Sequence, residues 1–294
     1  MAAQILKNKG EYLGHLFFYG LILVGGQRAA YLFLYLLILV YATCSRAPHR
    51  QLHPYLKRRF PGQTPWQRWW AVYHILIGMG KMLIDRSWLG LRPHARLNGT
   101  FQGLDTLLEI VNSGRGAVIL LAHVGTWQTA MAHLASLPCA VHIMMARDTT
   151  AVSKHFFELG RRRDFNIIDV NGFMGGMIEA VNALDHGDVV LIMGDRAAGG
   201  PTVETTFLGS AIRLPVAAYS LAANTGSPVL IAFSAKHDRT HQVLKVWDIL
   251  QPDYGHGDKQ QELARCAARY SRALEKYIRE YPYQWYNFFD IWEQ

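Results

Sequence analysis

Through the middle of the chain, short apolar runs of strand length alternate with stretches of helical period. The runs are Ala117 to Ala122, Val141 to Met145, Asn166 to Val170, Val189 to Met193 and Pro228 to Phe233. Between them lie Thr126 to Leu134, Val152 to Arg163, Phe173 to Asp185 and Leu214 to Thr225, all of helical length. Near-continuous apolar strands suit a sheet buried on both faces, and the intervening helices supply the crossovers that make such a sheet parallel. The expected fold is α/β, with a central, largely parallel or mixed sheet flanked by helices. Val243 to Leu250 reads as a further strand and Lys259 to Glu280 as a long amphipathic helix. In such folds chemistry gathers outside the carboxyl ends of the strands.

Ahead of this body, Tyr12 to Ala42 is almost uncharged but is interrupted by Gly25, Gly26, Gln27 and Arg28. Each apolar half, Leu13 to Val24 and Ala29 to Ala42, falls short of the roughly 20 residues that cross a bilayer as one helix. The stretch reads as a bent or interfacial membrane anchor; a tilted single span with Arg28 snorkelling and a buried hairpin are the alternatives. Lys7 and Lys9 precede it, and Arg46, Arg50, Lys57, Arg58 and Arg59 follow it, which places both ends on the cytoplasmic side. The division expected is 1–65, hydrophobic helices plus a basic, proline-punctuated linker from Arg46 to Pro65, and 66–294, the catalytic domain. The latter opens on a helical segment from Trp66 to about Ile84.

Half of the residues are hydrophobic, and the formal charge is +8. Such a chain suits acidic partners and an apolar surface, and a membrane surface offers both. No zinc-finger spacing or RNA-binding signature is present, so no nucleic-acid partner is expected. Cys44, Cys139 and Cys266 are odd in number and unpaired in spacing, which argues against a disulfide framework. The histidines, including His133, His142, His155, His186, His237, His241 and His256, show no ligand spacing, so no metal is expected; no phosphate-binding glycine loop calls for a nucleotide cofactor.

The run Leu121-Ala122-His123-Val124-Gly125-Thr126-Trp127-Gln128 sets a histidine at a strand end, followed by a glycine turn and a residue, Thr126, suited to cap a helix. A strand-end loop holds an imidazole at the sheet rim, and the start of the helix returns Gln128 to within reach of the ring. A histidine base needs one nitrogen free for the acceptor's proton and the other held by an acceptor group.

These residues resemble the lysophospholipid-acyltransferase superfamily, and within it the branch related to the lipid A lauroyl and myristoyl acyltransferases, whose signature is His, four residues, then Asp or Glu. Gly194-Asp195-Arg196, Thr206-Phe207-Leu208-Gly209 with Pro215, and the closing Tyr283-Gln284-Trp285-Tyr286-Asn287-Phe288-Phe289-Asp290-Ile291-Trp292 extend the resemblance over nearly the whole chain. It implies transfer of a fatty acyl chain from an acyl carrier protein or coenzyme A thioester to a lipid or glycolipid acceptor, at the cytoplasmic face of a bacterial inner membrane. His123 would deprotonate the acceptor hydroxyl or amine, with no acyl-enzyme and no bound cofactor.

The sequence departs from the family pattern at Gln128, where a carboxylate is expected. Glutamine accepts a hydrogen bond from an imidazole but carries no charge to stabilise imidazolium. On that reading Gln128→Glu raises acyl transfer by about tenfold or more, about 1.4 kcal/mol of barrier.

Arg147, Asp195 and Arg196 each follow a strand and are expected on the rim of His123, where a guanidinium can clamp a phosphate. The resemblance assigns the Asp195-Arg196 block to substrate binding; structural contacts beneath the loop are the alternative. Phe207 and Gly209 line the acyl groove or simply pack. Gly199, Gly200 and Pro201 suggest a flexible loop, Arg161-Arg162-Arg163 a solvated face or a carrier-protein dock, and the closing aromatics a cap on the core. Two rivals to acyl transfer remain: a catalytically impaired or non-catalytic lipid-binding or assembly protein on the same fold, which Gln128 favours, and a lipid ester or thioester hydrolase.

Overall fold

The computed structural model describes residues 2–92, 97–130, 134, 136–146, 165–197, 199–255 and 257–293, with side chains from residue 14 onward. Arg147, the helix expected over Val152 to Arg163, the Arg161–Arg163 run, His133, His155 and His256 lie outside the described residues.

The sheet has seven strands in the order β1-β9-β8-β2-β5-β3-β4. They are β1 (Asn98–Gln102), β2 (Ala117–Leu121), β3 (Val141–Met145), β4 (Asn166–Asp169), β5 (Val189–Met193), β8 (Val229–Lys236) and β9 (His241–Leu250). Neighbours run parallel except β8 and β9, so β1 and β9 are reversed against the other strands. Along β2 and β5 alternate residues serve opposite faces: Val118, Leu120, Val190 and Ile192 join one apolar cluster, and Ala117, Ile119, Leu121, Val189 and Leu191 the other. Burial on both faces is why these segments carry no polar residue.

Helices α4 (Leu104–Asn112) and the short α5 (Trp127–Ala130) cover the second face. The first face carries α2 (Ala47–Arg59), α3 (Pro65–Leu91), α6 (Met177–Asp185), α7 (Ala217–Thr225) and α8 (Lys259–Glu280). A capping box starts α3: Thr64 Oγ1 accepts from Gln67 N–H at 3.3 Å, and Gln67 Oε1 accepts from Thr64 N–H at 2.9 Å, with Pro65 in the first turn. Asp258 caps α8 by accepting from Gln260 N–H at 2.9 Å.

The stretch expected as a basic linker is largely helix α2. Pro48 sits in its first turn, where proline costs nothing, and only Pro54 lies inside the helix. Leu52, Tyr55 and Leu56 are buried in the same core as the sheet, and the Tyr55 ring stands edge-on to Trp285 at 4.9 Å.

Helix α1 (Ala2–Cys44) breaks at Gly26, whose φ of 69° and ψ of −170° belong to glycine. Its halves fold back on each other: the Phe17 and Phe33 rings lie 4.6 Å apart, whereas a straight helix would separate them by about 24 Å. Arg92 closes the turn by donating to the carbonyl of Leu23 at 2.6 Å. The hairpin rests on α3 through Ile22, Tyr31, Leu34, Ile77 and Ile84, and exposes Leu32, Leu36, Leu37, Leu39 and Val40. Trp66 and Trp70 at the start of α3 are exposed as well. The apolar N-terminus is a bent hairpin with an exposed apolar side; Gly14–Cys44 is long and apolar enough to cross a membrane, and Gly26 breaks it in the middle.

Strands β6 (Thr202–Phe207) and β7 (Ser210–Pro215) form a separate antiparallel hairpin after β5. Leu208 and Gly209, both at positive φ, make its two-residue turn.

Candidate active site

Strands β2 and β5 are neighbours in parallel register, with Leu121 opposite Met193. Each chain continues two residues past that pair before its polar residue, so His123 and Asp195 emerge side by side at the carboxyl rim. His123 Nδ1 meets Asp195 Oδ1 at 2.8 Å, and the backbone N–H of His123 donates to Asp195 Oδ2 at 3.0 Å. The indole Nε1–H of buried Trp285 donates to the same Oδ2 at 3.2 Å.

Burial alone would raise the pKa of Asp195. The His123 imidazole, its hydrogen bonds to the carboxylate and the nearby Arg196 outweigh that and hold it down at about 2. An ionised carboxylate on Nδ1 selects the tautomer with the proton there, which leaves the Nε2 lone pair for an incoming group. No described residue hydrogen-bonds Nε2, and the imidazole keeps 19% of its surface open. Trp127 stands edge-on to the ring at 5.3 Å.

The histidine loop is braced from the end of the chain. Gly125 N–H donates to the Gln284 carbonyl at 2.7 Å, and Tyr286 N–H donates to the His123 carbonyl at 2.8 Å. Val124 and Trp285 form an isolated antiparallel bridge between those bonds. Gly125 has φ +55°, and a Cβ there would lie 1.8 Å from the Ser234 carbonyl oxygen. Glycine is therefore required for two strand ends to approach this closely.

The side chain that hydrogen-bonds the His123 ring is Asp195, in place of the expected Gln128. Gln128 Oε1 accepts instead from Arg86 Nη1 of α3 at 3.0 Å. The Thr126 hydroxyl, expected as a helix cap, is buried and finds no hydrogen-bond partner among the described residues. Asp195 and Arg196 do share the rim of His123. Arg196 Nη2, however, donates to the Tyr286 carbonyl at 3.0 Å, and its guanidinium lies 5.2 Å from the Phe289 ring, so it secures the closing segment.

Of the two residues expected to line the acyl groove or simply to pack, Phe207 is packed in the core. Phe207 is closed off from solvent, edge-on to Trp285 at 5.3 Å and stacked on Trp292 at 5.9 Å; Gly209 sits in the β6–β7 turn. The closing aromatics, read as a cap on the core, are that and more, because Trp285 hydrogen-bonds the carboxylate behind His123. Trp285 belongs to the closing block that carries the family resemblance, but nothing in the local sequence marks Arg86 or ties Trp285 to Asp195; the signal is the pairing of distant segments. Among the described residues no three His, Cys, Asp or Glu side chains gather as a metal site would need.

The family model for the bacterial lipid A biosynthesis acyltransferases matches residues 4–294. The chain belongs to that family. In this member of the lipid A acyltransferase family the stretch His123 to Gln128 and the Gly194-Asp195-Arg196 block meet at one rim of the sheet. The phosphatidylinositol mannoside acyltransferases of Mycobacterium tuberculosis strains H37Rv and CDC 1551/Oshkosh are each 27% identical over 137 residues. Those matches take in 46% of this chain and 43% of the relatives, so the chain aligns with less than half the length of the curated proteins it resembles.

Proposed function

We propose that the protein is an acyltransferase that moves a fatty acyl chain from an acyl carrier protein or coenzyme A thioester to a hydroxyl or amine of a lipid or glycolipid. The observation that carries this reading is the His123–Asp195 pair, in which a buried carboxylate holds Nδ1 of an imidazole that keeps part of its surface exposed. In the reaction Nε2 takes the acceptor proton as the acceptor oxygen or nitrogen attacks the thioester carbonyl. Asp195 stabilises the imidazolium formed, as the carboxylate does in a serine-protease triad, without itself taking the proton. The tetrahedral adduct collapses with loss of the C–S bond, and the departing thiolate recovers the proton from Nε2. The products are the acylated acceptor and a free thiol, and no group on the enzyme is acylated.

Gln128 keeps a place in this scheme by holding Arg86 beside the histidine loop. Its lack of charge no longer speaks for a non-catalytic protein, because the carboxylate behind the imidazole comes from Asp195. The hairpin seats the site on a membrane: its exposed leucines, continued by Trp66 and Trp70, suit the boundary between headgroups and acyl chains. The basic residues flanking the hairpin support a seat on the cytoplasmic face of an inner membrane.

Single-turnover transfer of a labelled acyl group from acyl carrier protein, with membrane lipid extract as acceptor, tests the assignment. Labelled lipid is expected with the native chain and none with His123→Ala. Equal transfer by both overturns the role of His123, and free fatty acid with no acylated lipid points to a hydrolase.

A further inference from the structure

The tip of the α1 hairpin is joined to the histidine loop by an unbroken run of hydrogen bonds through a buried ion pair. Asp85 of α3 is fully enclosed. Its Oδ1 accepts from Gln27 Nε2 at 2.6 Å and from the Tyr31 hydroxyl, both on α1, and its Oδ2 takes Lys236 Nζ at 2.6 Å. Arg239, in the β8–β9 turn, donates to Gln27 Oε1 at 2.7 Å, and its carbonyl accepts from Lys236 Nζ at 3.0 Å. Lys236 ends β8, and the Gln284 side chain grips its peptide on both sides. Lys236 N–H donates to Gln284 Oε1 at 2.8 Å, and Gln284 Nε2 donates to the Lys236 carbonyl at 2.9 Å. The next bonds along are those already described, from Gly125 to Gln284 and from Tyr286 to His123.

A buried ion pair is a poor device for stability alone, because an apolar pair of the same size often does as well; its best-attested use is to fix one arrangement. The arrangement fixed here is that of the hairpin tip against the end of β8. We infer that Asp85 is a positioning residue that couples the two, so that seating of the membrane hairpin is a condition for holding His123 in its reactive geometry. The hairpin then acts on the site as well as on the membrane. The consequence for catalysis rests on the proposed role of His123, whereas the coupling itself is measurable without any turnover.

The test uses the full chain bound to vesicles of phosphatidylethanolamine and phosphatidylglycerol, comparing Gln27→Leu, Asp85→Asn and Leu36→Ala. Hydrogen exchange of the segment 121–128 reports on the loop, single-turnover transfer on the chemistry, and vesicle flotation on the anchor. Gln27→Leu and Asp85→Asn are each expected to speed exchange at Gly125 roughly fivefold and to slow transfer about tenfold, leaving flotation and exchange in β5 and α8 as in the native chain. The double variant is expected to be no slower than the worse single one, because both break the same run. Leu36→Ala, on the exposed face, is expected to weaken flotation without touching exchange at 121–128. Should Gln27→Leu loosen the whole fold, Arg239→Ala, which removes only the bond to Gln27 Oε1, is expected to give a milder local change at Gly125. Native exchange at Gly125 in Gln27→Leu, or additive losses in the double variant, would reduce the hairpin to an anchor alone. If His123→Ala retains transfer, the catalytic reading fails while the exchange result still decides the coupling.

Discussion

Trp285 donates its indole N–H to Asp195 Oδ2 at 3.2 Å, on the carboxylate whose other oxygen holds His123. The carboxylate thus lies between the imidazole and a ring supplied from near the end of the chain. Asp195→Asn keeps the shape but removes the charge and can present an amide N–H to the ring. The matching change in a serine-protease triad costs about 10⁴ in turnover, and a fall of about 10³ to 10⁴ is expected here in the single-turnover rate. Trp285→Phe, which removes one neutral donor, is expected to cost about tenfold, on the order of 1 kcal/mol. A loss below threefold for Asp195→Asn would remove the carboxylate from the mechanism.

Gln128→Glu is expected to change the rate by less than about threefold, against the tenfold gain that the His-x4-acid pattern suggests. The imidazole already has its carboxylate, and a new one at 128 would face Arg86. A gain of about tenfold or more in single-turnover assays would show that the charge at 128 acts on His123 after all.

Gly125→Ala is expected to be severely destabilising, by roughly 3 kcal/mol or more. The added methyl would meet the Ser234 carbonyl at 1.8 Å on a backbone with φ +55°, and neither backbone can retreat without disturbing the sheet rim. Urea denaturation of the variant checks this; a midpoint unchanged from the native chain would show that the rim yields.

Asp195 gives a signature in acid. An aspartate in an unfolded chain titrates near 3.9, and in the fold this one is held at about 2. Because the unfolded chain takes up the proton first as pH falls, the stabilisation is complete above about pH 4 and is lost on the way down to about pH 2. It amounts to roughly 2 kcal/mol. Stability measured by denaturant between pH 4 and 2 is expected to fall more steeply for the native chain than for Asp195→Asn, and identical slopes would contradict the depressed pKa.

Cys266 is buried, and burial together with Glu262 pushes its thiol up to about 12. Cys44 is exposed at the end of α1. Maleimide is therefore expected to label Cys44 in the native, detergent-solubilised protein and Cys266 only after unfolding, as mass spectrometry of the labelled peptides would show. Prompt labelling of Cys266 in the native protein would contradict this.

The strands that build the site are legible because burial on both faces leaves them no room for polar residues; β2 and β5 appear in the sequence with little ambiguity. Their adjacency is not legible. β3 follows β2 in the chain but lies outside β5, and only that order sets Asp195 beside His123. Local spacing points instead to Gln128, five residues from the histidine and turned toward α3. Helix α2 is hidden by Pro48 and Pro54, and β6–β7 by a turn of Leu208 and Gly209 in place of the usual asparagine and glycine. Arg86 and Trp285 reach the site through tertiary packing, which no periodicity records.

The brace on the histidine loop comes from Gln284 to Tyr286, whereas the membrane hairpin is complete by Cys44. During synthesis the apolar hairpin leaves the ribosome well before Gln284 to Tyr286 do. A nascent chain can therefore fold its hairpin while His123 still lacks the bonds that hold it, and the loop stays loose until the segment 284–286 has been made.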